Sequence, residues 1–136
     1  MTTTPVEIAL KRHIAAVQSG DRDAFLSNFA DDATLEDPVG PSPLDPSGKG
    51  HKGRDAIAAF WDNIIAPGSV RFEFERSFVC GDEIANVGMV HNDLPDDRGR
   101  ISADGVFIYR VNKEGKLKSL KAYWDYEKAM PDEPPL

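Results

Sequence analysis

The feature that most narrows the possible folds of this chain is a change of hydrophobic period at Pro67-Gly68. Upstream, apolar residues recur every three or four positions. Val6, Ala9, Leu10, His13, Ile14 and Val17 form one stripe, which predicts a buried helix face. Thr4, Pro5 and Glu7 supply an N-cap, a first-turn proline and a capping box, and Gly20 supplies the stop. Asp21 can cap a second, short helix with Ala24, Phe25 and Phe29 facing inward. Ile57, Phe60, Trp61, Ile64 and Ile65 predict a third helix over about residues 54–66. Downstream the period is two. Phe72 and Phe74 alternate with Arg71, Glu73 and Glu75, and further strands are predicted over 84–92, 102–111 and 117–125, joined by turns at Gly81-Asp82, Asp96 to Gly99 and Asn112 to Gly115. Three helices followed by successive antiparallel strands define an α+β fold with the helices on one face of the sheet.

Composition limits the partners. The 136 residues suffice for one domain, expected over 1–130, with the P-D-E-P-P-L tail of 131–136 expected to be disordered. A net charge of -7 with scattered Lys and Arg argues against nucleic acid or an anionic membrane surface. One cysteine, Cys80, excludes an intrachain disulfide, and it has no activating neighbour in sequence. With neither a basic, apolar leader nor an apolar run of roughly 18 residues, a cytoplasmic location is expected.

The chemistry is expected in the run A-D-D-A-T-L-E-D-P-V-G, residues 30–40. If 33–37 is a short strand, Leu35 and Asp37 share a face and Glu36 points away. Pro38 biases Asp37 toward extended backbone. A carboxylate held against the apolar wall that Leu35 belongs to has its neutral form favoured, which raises its pKa into the range of a general base. D-P-x-G is equally a turn signature, in which the Asp merely caps amides. The Gly- and Pro-rich stretch 40–53 leaves directly from this segment and is long enough to form a rim or lid, with Lys49 and His51 solvated.

The run FADDATLEDPVG resembles the segment that carries the catalytic Asp of bacterial ketosteroid isomerases, members of the NTF2-like or SnoaL-like superfamily. AAVQSGDRDAF, IAAFWDNII and VFIYRVNKEGKLKSLKAYW fall, in order, where that family has its helices and last strands. The resemblance implies a conical domain whose curved, mainly antiparallel sheet encloses a hydrophobic pocket. It further implies cofactor-free proton transfer on a steroid-like carbonyl compound, and a homodimer. Asp37 falls at the general base. His13 stands where the family has a tyrosine that donates to the developing oxyanion; as a lone His on an apolar face it is equally a core residue. Matching Y-R-V-N at 109–112 puts Phe107 at the position of a second, acidic donor, and only a β-bulge would bring Asp104 there. Phe60, Trp61, Phe107 and Trp124 are expected to line the pocket, with core packing the alternative for the tryptophans. His13 or His91 is a candidate partner for Asp37 in a SnoaL-like dehydratase or cyclase, and loss of both oxyanion donors would leave a ligand-binding protein. The sequence has no metal-ligand spacing, phosphate loop or nucleophile elbow.

Overall fold

A computed structural model describes residues 3–130. The tail 131–136, expected to be disordered, lies outside the described residues. Helix α1 (Pro5–Ser19) carries the predicted capping box: the Thr4 side chain accepts from the Glu7 amide, and the Glu7 carboxylate takes the Thr4 amide at 3.0 Å. It ends at Gly20 in the left-handed region, and Asp21 caps α2 (Arg22–Ser27). Strand β1 (Phe29–Glu36) starts four residues earlier than expected, so Phe29 is a buried strand residue and not part of a helix face.

The 40–53 stretch is organised rather than slack. Ser42 and Asp45 exchange two backbone hydrogen bonds. The buried Asp45 carboxylate accepts from the Ser47 hydroxyl at 3.0 Å and the Gly50 amide at 2.8 Å. A two-residue strand, β2 (His51–Lys52), then pairs with β1. Contrary to expectation, His51 is therefore not fully solvated: it is half-buried, its ring 5.0 Å from that of Phe60.

Helix α3 (Gly53–Phe60) runs on into a wider π turn over Trp61–Ile65, with the Trp61 carbonyl accepting from the Ala66 amide at 2.8 Å. Strands β3 (Ser69–Cys80), β4 (Glu83–Asp93), β5 (Arg100–Val111) and β6 (Leu117–Tyr123) follow, then a short helix α4 (Tyr126–Ala129). The six strands form one open sheet in the order β2-β1-β6-β5-β4-β3, antiparallel except for β1 beside β6. Bulges between Phe74 and Arg76 and between Arg110 and Val111 help it curve. Helix α1 lies across β3, β4 and β5, while α2 and α3 cover β1. The core between these layers includes Phe25, Leu35, Ile57, Tyr109 and Leu117. The helices do not fill the concave face completely, and the unfilled part is the site described next.

Candidate active site

A cavity of about 340 Å³ opens between α1, α3 and the inner face of the sheet. That is within the ~300–1,000 Å³ usual for small-molecule sites. Its walls are apolar for the most part: Val17, Leu35, Phe60, Phe72, Val90 and Phe107 contribute. Leu44 from the organised loop, Pro67-Gly68 and the β4–β5 connection at Leu94, Pro95 and Arg98 surround the mouth. Of the 40–53 stretch, expected to form a rim or lid, Leu44 lines the cavity.

Asp37 reaches this cavity because of the strand that precedes it. Leu35 and Asp37 both line it and Glu36 does not, which is the alternation of an extended chain. Beyond β1 the Val39 amide donates to the Ala122 carbonyl at 2.8 Å, holding the segment against β6 across a cis Asp37-Pro38 peptide bond. This sets the carboxylate beside Trp124, whose indole N–H donates to Asp37 Oδ1 at 2.6 Å. Trp124 can come so close because Gly105 faces it: a Cβ there would run into the Tyr123 carbonyl and stand 3.2 Å from Trp124 Cβ. Burial raises the Asp37 carboxyl from its ordinary 3.8 to about 6, and the Trp124 hydrogen bond works against that rise.

His13 projects from α1 into the closed end of the cavity, with 4% of its surface exposed. The rings of Phe25, Phe29, Phe72 and Tyr109 surround it at centroid distances of 5.2–6.1 Å. Burial among them lowers its pKa to about 3, so the imidazole is neutral at ordinary pH. Its Nδ1 is shut away without a partner. Tyr109, 1% exposed, completes the closed end. Burial first, and the Asp37 charge second, push its phenol well above the usual tyrosine range.

The cavity therefore brings together Asp37, His13, Phe60, Phe107 and Trp124. Three other candidates lie elsewhere. Asp104 is exposed: β4 and β5 pair residue for residue from Glu83↔Arg110 to Asp93↔Arg100, so no bulge turns it inward, and its neighbour Ala103 takes the cavity position. His91 is on the outer face, its Nδ1 2.8 Å from Ser102 Oγ and its Nε2 3.2 Å from Glu73 Oε2, while Val90 and Asn92 face the cavity. Trp61 is buried against Phe25, at 4.7 Å between rings; successive helical residues are ~100° apart, and Phe60 takes the cavity side. Sequence reasoning missed Tyr109 and the polar rim of Asn63, Asn92 and Arg98. Strand parity could have found Tyr109, since it shares a face with Phe107 two residues before it.

Comparison with known proteins agrees with this architecture. A steroid Delta-isomerase of Nocardioides simplex is 29% identical over 119 residues, covering 88% of this chain and 89% of that protein. Among solved structures, the Delta 5-3-ketosteroid isomerase of a Mycobacterium species is 36% identical with a TM-score of 0.88, covering 95% of this chain and 98% of that one. RV0760c of Mycobacterium tuberculosis, solved in complex with estradiol-17beta-hemisuccinate, is 37% identical with a TM-score of 0.85, covering 92% and 97%. The SnoaL-like domain family matches residues 10–120, and the chain belongs to that family, within the NTF2-like superfamily.

Proposed function

We propose that this protein isomerises a hydrophobic, steroid-like β,γ-unsaturated ketone to its conjugated isomer, with Asp37 as the base. The observation that carries the reading is a carboxyl with pKa raised to about 6 on the wall of an apolar cavity, oriented by one indole N–H. Such a group is largely ionised at neutral pH yet more basic than a solvated Asp, which is what abstraction of a carbon-bound proton asks of it. Asp37 takes the proton from the carbon between the carbonyl and the double bond. The C–H electron pair enters a dienolate, whose charge collects on the carbonyl oxygen. The same carboxyl then returns the proton to the far end of the former double bond, so that atoms and charge balance and no cofactor is consumed.

The apolar walls support this substrate class, as do the relatives, an isomerase of ketosteroids and a protein solved with an estradiol ester. Asp37→Asn is expected to lower turnover of a Δ5-3-ketosteroid by ~10²–10⁴, the usual worth of a positioned general base. Unchanged turnover refutes the assignment. Phe107, apolar at the position of the expected acidic donor, favours a second reading, a protein that binds such ligands without converting them. Ligands that raise the melting temperature while no enone is turned over would support it. For assembly, we propose a homodimer through the outer face of the sheet, where Val87 is exposed among half-buried Met89, Val106 and Ile108.

A further inference from the structure

We propose that the Tyr109 hydroxyl is the donor that grips the carbonyl oxygen of the bound ketone, the role having moved from the first helix to the inner face of β5. The inference rests on Asp37 acting as base in this cavity, and it names a residue to which neither the resemblance nor the comparisons assign any role.

The hydroxyl is free to do this. Tyr109 lines the cavity, its hydroxyl forms no hydrogen bond with another described residue, and it is not among the polar atoms sealed away without a partner. What surface it keeps is therefore cavity surface. A buried phenol normally finds an acceptor. Here the acceptor must come from whatever fills the cavity.

The register places it correctly relative to Asp37. Phe107 pairs with Ala122, the residue that holds the Asp37 segment through Val39, whereas Tyr109 pairs with Leu120, itself beside Leu35. Tyr109 thus stands one face-repeat, ~7 Å along the strand, deeper than the level of the carboxylate. This separation suits a base that reaches the α-carbon and a donor that reaches the carbonyl oxygen, flanking the two ends of a short enolate. The ligand would lie with its ketone ring at the closed end, and the rest of its framework toward Leu94, Pro95 and Arg98.

The chemistry favours Tyr109 over His13. His13 is neutral, and a neutral imidazole N–H is a weaker acid, hence a weaker donor to a developing oxyanion, than a phenol. Burial and the Asp37 charge keep the phenol protonated, so it enters each turnover as a donor. Proton transfer moves one negative charge from Asp37 to the substrate oxygen, and the hydroxyl gains a strong acceptor at the moment the charge arrives.

The test compares wild type, Tyr109→Phe and Asp37→Asn with two probes. Turnover is measured with a Δ5-3-ketosteroid, and the ultraviolet band of testosterone, a conjugated ketone that shifts to longer wavelength when its oxygen is gripped, is recorded free and bound. Tyr109→Phe is expected to lower kcat by ~10–10³ with KM within about threefold. In that variant bound testosterone should absorb at the wavelength of the free steroid, while wild type and Asp37→Asn keep the shift. A Tyr109→Phe protein with wild-type kcat and the shift intact overturns the proposal, as does an unshifted band in wild type. Full activity in Asp37→Asn sinks the base assignment alone, because the spectral result for Tyr109 stands without it. If Tyr109→Phe does not fold, 3-fluorotyrosine placed at position 109 provides a more acidic hydroxyl. The band must then move further, and an unmoved band overturns the assignment.

Discussion

Asp37→Asn should make the protein more stable as it destroys activity, and the size of the gain follows from the site. Burial lifts the carboxyl from 3.8 to about 6, so the folded protein binds a proton more tightly than the unfolded chain. Between those two values the folded state carries the extra proton, and stability falls as pH rises through the interval. Below pH ~4 both states are protonated and the burial is unpenalised; above pH ~6 the folded state must house a charge that the unfolded chain leaves in water. The displacement converts to roughly 3 kcal/mol. Asparagine keeps an oxygen for the Trp124 indole, now held to Asp37 at 2.6 Å, and never ionises.

Thermal or urea unfolding of both proteins from pH 4 to pH 8 isolates this quantity as a difference. The variant and wild type should be nearly equal at pH 4, separate through pH 5–6, and stand about 3 kcal/mol apart above pH 7, roughly 10 °C in melting temperature for a chain of this size. A constant gap across the range would mean that the carboxyl is solvated, and would remove the basis for treating it as a base.

Trp124→Phe deletes the hydrogen bond that restrains the pKa of Asp37, so the acid limb of the kcat/KM profile, expected near pH 6, should move to higher pH; a fixed limb would disprove the coupling. His13→Phe should raise stability at pH 4 relative to wild type, measured by urea unfolding, because a group that titrates only near pH 3 in the folded state no longer has to remain uncharged in the core. Asp45→Ala should cost about 1–3 kcal/mol and speed amide exchange in residues 41–50, since the Gly50 and Ser47 donors lose their acceptor. Exchange unchanged from wild type would show that the cavity wall does not depend on that carboxylate.

How much of this was legible depended on whether one face of each element was distinctly apolar. Helix α1 and the alternation from Arg71 to Glu75 could be read directly, because polar and apolar positions separate cleanly there. Leu35 and Asp37 could be placed together by parity alone. In β4 the same method fails: Val87 and Val90, three apart, are both apolar yet point to opposite faces, so nothing local says that His91 looks outward. The register of β5 depends on pairing with β4 over its length, and the sheet's register shifts fall between Phe29 and Thr34, between Phe74 and Arg76 and between Arg110 and Val111 instead of at Asp104. The turn at Trp61–Ile65 has no sequence signal that separates a π turn from an α-helix, and the place in the cavity that the resemblance implied for Trp61 falls to Phe60, while Trp61 packs on Phe25.

Asp37 and His13, the two buried cavity groups whose titration reaches the acid range, also act on stability in opposite directions, which hides each from an ordinary pH scan. His13, lowered from 6.5 to about 3, contributes stability that is complete above pH 6.5 and is lost as the pH falls toward 3, a change of roughly 5 kcal/mol when complete. Asp37 adds stability over much of the same descent. Between pH 6 and 4 the terms partly cancel, and the wild-type curve should be flatter than either group alone would make it. Removing Asp37 leaves the histidine term exposed and steepens the acid loss; removing His13 leaves the aspartate term and reverses the slope. Opposite changes of slope in the two variants are a stricter criterion than either stability difference, because a purely structural disturbance of the cavity would shift both curves without tilting them.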